Sequence, residues 1–89
     1  MSGAPYAVTI IRSAQKDIRS LDGAVRGRVM VALRALENNP RPPGCRKLVD
    51  SQNRWRIRVG DYRVIYTVDD AVFTVQIVAV RHRSKAYEQ

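Results

Sequence analysis

The stretch RWRIRVGDYRVIYTV, residues 54–68, alternates apolar with basic residues through two short runs that meet at Gly60 and Asp61. Successive side chains of a strand point to opposite faces, so Trp55, Ile57 and Val59 fall on one side of the first run and Arg54, Arg56 and Arg58 on the other. The second run repeats the pattern, with Tyr62, Val64, Tyr66 and Val68 facing one way and Arg63, Ile65 and Thr67 the other. Glycine accepts the positive φ of a tight turn, which makes Gly60-Asp61 a hairpin connection, although the order Gly-Asp leaves the turn type open. Pairing the two runs brings Arg63 to the face of Arg56 and Arg58. Like charges side by side on a sheet are unfavourable unless an anion sits among them. The face is therefore either a solvated cationic surface or an anion site.

Working outward, Tyr6 to Ile11 (YAVTII) is β-branched and partly alternating, the mark of a first strand. Ser13 can cap a helix whose apolar positions are Ala14, Ile18 and Leu21. Asp22 is placed to cap a second helix running to about Asn38, with Val25, Val29, Ala32, Leu33 and Leu36 as its buried stripe and Arg26, Arg34 and Glu37 off it. Asn38 suits a left-handed C-cap, and Pro40, Pro42 and Pro43 prevent continuation. Arg46 to Val49 reads as a short strand, Asp50 to Asn53 as a polar loop and Asp69-Asp70 as a tight turn. Val72 to Val80 (VFTVQIVAV) is the most apolar run, consistent with a strand covered on much of both faces and central in its sheet. Met1 to Pro5 should fray, and Arg81 to Gln89 should form an extended or one-turn tail. The order predicts an α+β domain, a small antiparallel-rich twisted sheet with a two-helix hairpin packed on one face. The uncovered face carries Arg56, Arg58 and Arg63, and the tail can bring Arg81, His82, Arg83 and Tyr87 to its rim.

At 89 residues, a chain buries only about 60% of its unfolded surface, enough for one core and one domain spanning residues 1–89. No apolar stretch approaches the roughly 20 residues of a membrane-spanning helix, and the first residues lack the pattern of a secretory signal, so a cytoplasmic location without membrane association is expected. Cys45 and His82 are the only cysteine and histidine, which rules out an internal disulfide and a His/Cys metal cluster supplied by one chain. The formal net charge is +8 and the pI about 10.6. A balance this basic implies a polyanionic partner: nucleic acid, an anionic membrane or an acidic protein.

The sequence holds no glycine-rich phosphate loop, no spacing suggestive of a Ser/His/Asp triad and no carboxylate pair on the basic face. What remains is a phosphodiester site built from cations, with no cofactor called for. Cleaving RNA without a metal requires the 2′-hydroxyl in line with the phosphorus, neutralisation of the charge that grows on the phosphorane, and proton transfer at both oxygens. Arginine serves the charge requirement well and the general-base requirement badly, because guanidinium stays protonated.

On the residues WRIRVGDYRVIYTV and AVRHRSKAYEQ the chain resembles the RelE family of bacterial toxins, within the RelE/ParE superfamily. The resemblance covers nearly the whole chain, and the tail RHRSKAY, a basic residue followed six positions later by Tyr, is its most specific part. It implies a ribosome-dependent endoribonuclease that cuts messenger RNA in the ribosomal A site, held inactive in a hetero-oligomer by an acidic, RelB-like antitoxin. By position, Arg56 and Arg58 stand where RelE proteins have two lysines, Arg63 where they have the arginine of the GYR segment, and Arg81 and Tyr87 where they have the tail arginine and tyrosine. The resemblance thus implies Arg56, Arg63, Arg81 and Tyr87 as catalytic, with Arg54, Arg58, Arg83 and His82 as RNA-binding neighbours. Arginine in place of lysine at 56 makes that residue a poorer base: either His82 or Tyr87 supplies the step, Arg56 acts only electrostatically, or activity is weak or lost. Blander roles compete: Trp55 fits the core better than a base-stacking platform, Tyr87 can pack on the sheet, His82 can be a surface histidine, and Arg83 can bridge to Glu88. The same superfamily includes ParE-like inhibitors of DNA gyrase, which share the YRVIY strand, and a plain basic binding module is a third alternative.

Overall fold

The computed structural model describes residues 5–49 and 53–85. The expectations for residues 1–4, for most of the polar loop and for Tyr87 and Glu88 lie outside the described residues. Seven elements follow in the order β1 (Ala7–Ile10), α1 (Arg12–Arg19), α2 (Gly23–Ala35), β2 (Arg46–Lys47), β3 (Arg54–Val59), β4 (Tyr62–Asp69) and β5 (Thr74–His82). The strands form one sheet in the order β1-β5-β4-β3-β2. All pairings are antiparallel except β1 with β5, which is parallel and joins the first and last elements of the chain. This is the α+β architecture read from the sequence, as a mixed sheet. No helix among the described residues is long and apolar enough to cross a membrane.

The helices lie on one face of the sheet because their apolar stripes match its apolar parity. Ala14, Ile18 and Leu21, then Val29, Leu33 and Leu36, form one buried cluster with Ile57, Val64, Tyr66, Val68, Val75, Ile77 and Val80. Trp55 is half-buried against this cluster, as the alternation predicts. The hairpin turn takes positive φ at Gly60 alone, the pattern of a type II′ turn with glycine first. A Cβ at Gly60 would meet only the flexible end of the exposed Arg28 side chain, at 3.0 Å, so it is the backbone angle rather than space that requires glycine there.

Several local expectations are corrected. Ser13 does not cap α1: the helix starts at Arg12 with Ile11 at the N-cap and no side-chain cap bond, because Ile11 still donates its N–H to the Ile77 carbonyl at 3.1 Å and so passes from sheet to helix without a loop. Asp22 does occupy the N-cap of α2, yet its side chain makes no cap bond. Asn38 does not take a left-handed C-cap: among the described residues positive φ occurs, outside glycine, at Asn53 and Phe73. Helix α2 instead tightens into i to i+3 bonds from Leu36, Glu37 and Asn38 to Leu33, Arg34 and Ala35, which satisfy the terminal carbonyls without a reversal. The carbonyls ending α1 are met by Arg26, whose guanidinium donates to Leu21, Ile18 and Arg19. The short strand expected over Arg46 to Val49 is confined to Arg46–Lys47. The last strand begins at Thr74 rather than Val72, since Val72 and Phe73 are exposed and Phe73 sits in the left-handed region within the turn. The middle strand is β4, with β5 beside it, because only β1 lies beyond β5.

Two side-chain anchors hold the connection after α2. Arg41 clamps Asp70 with bonds of 3.2 and 2.9 Å and lies 5.0 Å from the centre of the Trp55 ring. Tyr6 donates to the same carboxylate at 2.6 Å, and Arg41 first and Tyr6 second hold the Asp70 carboxyl below its usual pKa. Deeper in, the fully buried Tyr66 donates its hydroxyl to the Pro40 carbonyl at 2.8 Å. Burial first, then the neighbouring Cys45 thiol, push the Tyr66 phenol well above its ordinary 10.0. A phenol whose folded pKa is raised contributes stability that is whole below the unfolded pKa and disappears as pH rises through the folded one. Tyr66→Phe should therefore lose about 1 kcal/mol at neutral pH by orphaning the Pro40 carbonyl, a fall in melting temperature of roughly 4–8 °C for a domain this small. Melting curves should also show wild-type stability falling faster than the variant's as pH rises beyond about 10.

Candidate active site

Because β4 is paired on both sides, its register can be read straight across the sheet, and on the face away from the helices it lines up arginines. Arg63 is opposite Arg58 on β3 and opposite Arg81 on β5. Beside this row runs a second, Arg46, Arg56, Ile65 and Ala79, and beyond it a third, Arg54, Thr67, Gln76 and Thr9. Ile65 and Ala79 are buried at 3% and 5% exposure yet stand outside the helix-side core. They form an apolar floor between the charged side chains, where water screens less and each guanidinium acts more strongly.

Arg81 joins this row only because β5 is irregular. Ile65 pairs with Ala79 and Tyr66 with Ile77, so Val78 is an extra residue opposite that step. In a regular strand positions 77, 79 and 81 share a face, and since Ile77 is in the core, Arg81 would be forced under the helices. The bulge reverses the parity, placing Val80 in the core at 4% exposure and Arg81 beside Arg63. Re-aiming a side chain is a common use of β-bulges. Sequence reasoning missed it because residues 75–80 are apolar on either parity except Gln76, so neither phase is disfavoured. The signal available was the phase conflict between Ile77 and Arg81 if both were to face as their chemistry requires.

The row is sparsely neutralised. Among the described residues, neither Arg58 nor Arg63 forms an ion pair, and Arg63 Nη1 donates to the Tyr62 carbonyl at 3.2 Å. Arg58 is exposed while Arg56, Arg63 and Arg81 are half-buried. Arg46, Arg56, Arg58 and Arg63 also line an open cleft at the β3 edge, whose far wall includes Ala32 and Ala35 of α2. Directly opposed like charges on neighbouring strands are unfavourable, and an anion bound among them would relieve that repulsion.

The other candidates lie further out. Arg54 is in the third row. His82 is level with Tyr62 and Val59, on the opposite parity from Arg81, and its ring meets Tyr62 edge-on at 5.3 Å. Its Nδ1 faces Ser84, accepting the backbone N–H at 3.2 Å and lying 3.0 Å from the hydroxyl. Arg83 is exposed and anchored to the hairpin turn, its N–H donating to the Asp61 carbonyl at 2.7 Å with Nε 3.9 Å from the Asp61 carboxylate. The arrangement thus gathers Arg58, Arg63 and Arg81, flanks them with Arg56 and Arg54, and sets His82 and Arg83 at the margin.

The family described as ParE toxin of type II toxin-antitoxin system, parDE, matches residues 8–87. Toxin RelE of Mycobacterium tuberculosis is 33% identical over 84 residues, spanning 93% of this chain and 87% of that protein. Among solved structures, the toxin-antitoxin complex RelBE2 from Mycobacterium tuberculosis contains a chain with TM-score 0.80 and 28% identity, covering 90% of this chain and 100% of that one. The archaeal RelE-RelB complex from Pyrococcus horikoshii gives TM-score 0.80 and 31% identity, covering 92% and 99%. With the family match running from β1 past the arginine row, the chain belongs to the RelE/ParE superfamily of type II toxin-antitoxin toxins.

Proposed function

We propose that this toxin is a ribosome-dependent endoribonuclease that cuts messenger RNA in the cytoplasm, and that the sheet face bearing Arg58, Arg63 and Arg81 is its active site. The observation that carries the reading is the cross-strand row itself, three guanidinium side chains directly opposed on adjacent strands. A phosphodiester passing through a phosphorane gathers negative charge on its equatorial oxygens, and preorganised cations aimed there lower the barrier without reorganising. The 2′-oxygen attacks the neighbouring phosphorus and the 5′-oxygen of the next nucleotide leaves, giving a 2′,3′-cyclic phosphate and a free 5′-hydroxyl. The 2′-hydroxyl loses its proton and the departing oxygen gains one.

In this assignment Arg63 and Arg81 stabilise the phosphorane, Arg56 contributes charge rather than accepting the proton, and Tyr87 assists proton transfer or stacks on a base. Arg54, Arg58, Arg83 and His82 bind the flanking RNA. No metal is assigned a step, since the row supplies the cationic charge. Removing one such charge-stabilising donor typically costs about 10²–10³ in rate. Arg63→Ala and Arg81→Ala should each slow single-turnover cleavage on programmed ribosomes by that factor. Growth arrest on induction should vanish in the Arg81→Ala, Tyr87→Ala double mutant, and arrest that persists unchanged would remove these roles. The superfamily also holds gyrase inhibitors, and the matching family carries the ParE description. On the nuclease reading, supercoiling by purified gyrase should be unaffected by the chain; inhibition without RNA cleavage would transfer it to that class.

The partner follows from the same surface. Solved relatives are toxin-antitoxin and RelE-RelB complexes, and an acidic, RelB-like antitoxin would relieve the repulsion within the row much as RNA does. Such a segment, partly disordered alone, folds on binding and competes with RNA for one face. Co-expression with the neighbouring reading frame should yield a stable complex and restore growth. Raising salt should slow its association more than it speeds dissociation.

A further inference from the structure

Strand β1 ends at Ile10, and its last contact with β5 is the bond from the Ile11 N–H to the Ile77 carbonyl. Beyond that point the β1 side of β5 has no strand beside it, so the Val80 N–H would be left without a sheet partner. Asp17, on α1, fills the place: its Oδ2 accepts the Val80 N–H at 3.0 Å. The same oxygen lies 3.9 Å from Arg81 Nε, a buried nitrogen with no hydrogen-bond partner. One carboxylate oxygen thus touches the residue that the bulge turns into the core and faces the residue that it turns out to the arginine row.

We infer that Asp17 is a positioning residue for the toxin's chemistry: it turns the Nε edge of Arg81 inward and presents the rest of the guanidinium to the RNA phosphate. The inference rests on the assignment of Arg81 to catalysis, and it deepens that assignment. A guanidinium has five N–H donors in a rigid fork. With the Nε edge drawn toward the Asp17 carboxylate by charge across 3.9 Å, beyond hydrogen-bond reach, the remaining four donors are left for a phosphate. The Arg81 side chain is 41% exposed and that of Asp17 29%, so the pair lies at the boundary between protein and ligand. Fixing the fork before RNA arrives removes an ordering cost from the reaction step. The short β1 serves the same end, because a longer first strand would pair with Val80 and exclude the carboxylate.

Asp17→Asn keeps an oxygen for the Val80 N–H and removes the charge facing Arg81. It should melt close to the wild type and cut ribosome-bound messenger RNA about 10- to 100-fold more slowly at saturation, with a smaller change in KM. Asp17→Asn combined with Arg81→Ala should be no slower than Arg81→Ala alone. A readout independent of cleavage is the Arg81 Nε–H resonance, assigned by its absence in Arg81→Ala. It should be protected from solvent exchange in the wild type and lose that protection in Asp17→Asn. A protected Nε–H in Asp17→Asn, or cleavage at the wild-type rate with protection lost, overturns the positioning role. Wild-type cleavage by Arg81→Ala itself would instead overturn the assignment of Arg81, and the resonance would still decide whether Asp17 holds it.

Discussion

The double pairing of β4 is the constraint on which everything else depends. A strand bonded on both sides cannot slip by one residue without moving its whole apolar set to the wrong face. Here Val64, Tyr66 and Val68 are committed to the helices, so Arg63 is committed to the other side and its neighbours in the row are chosen by register alone. The fold and the cationic face are one arrangement seen from two sides. The unfavourable crowding of arginines is held in place by burial of Val64 and Tyr66 behind them, each side chain worth roughly 1.5–3 kcal/mol, several times the penalty of a like-charged cross-strand pair.

What the sequence made legible was what strict periodicity encodes. The hairpin, the stripe of α2 and the separation of Trp55 from Arg54 and Arg56 follow from alternation or from 3.6-residue spacing, which survive any detail of packing. What it hid was set by tertiary position. Ser13 looks like a cap until Ile11 is seen to be held by β5. Asn38 looks like a left-handed terminator until the helix end is seen to tighten instead. The bulge at Val78 shows only as a phase conflict between Ile77 and Arg81, because valine and alanine are at home on either face. Asp17 has no motif of its own, and its task exists only because β1 stops short of Val80. Arg63 and Arg56 were therefore legible by period, whereas Arg81 was reached through family resemblance and explained only by the irregular strand.

The surface chemistry is also divided by position along the sheet. At one end the turn after β4 is neutralised by the grip of Arg41 on Asp70, with Tyr6 and Trp55 closing around it. At the other, Arg58 and Arg63 have no such grip among the described residues. The same residue type is structural where it meets a carboxylate and available where it does not, so counting arginines says less than locating the few acids. With eight Asp and Glu against 16 Lys and Arg, each acid that is used in the fold determines which cations are withheld from a ligand.

The parallel pairing of β1 with β5 has a consequence in time. Ala7 pairs in register with Thr74 and donates its N–H to the Phe73 carbonyl, so the first strand made waits for the last one before it has a strand neighbour. Contacts this distant along a chain are closed late, because loop entropy is lost before the contact is gained. The third arginine of the row is on that same last strand. As the chain is synthesised, no partial product has either the full five-stranded sheet or a complete row. The step that finishes the core also creates the cationic face, and a chain cut short of β5 has neither.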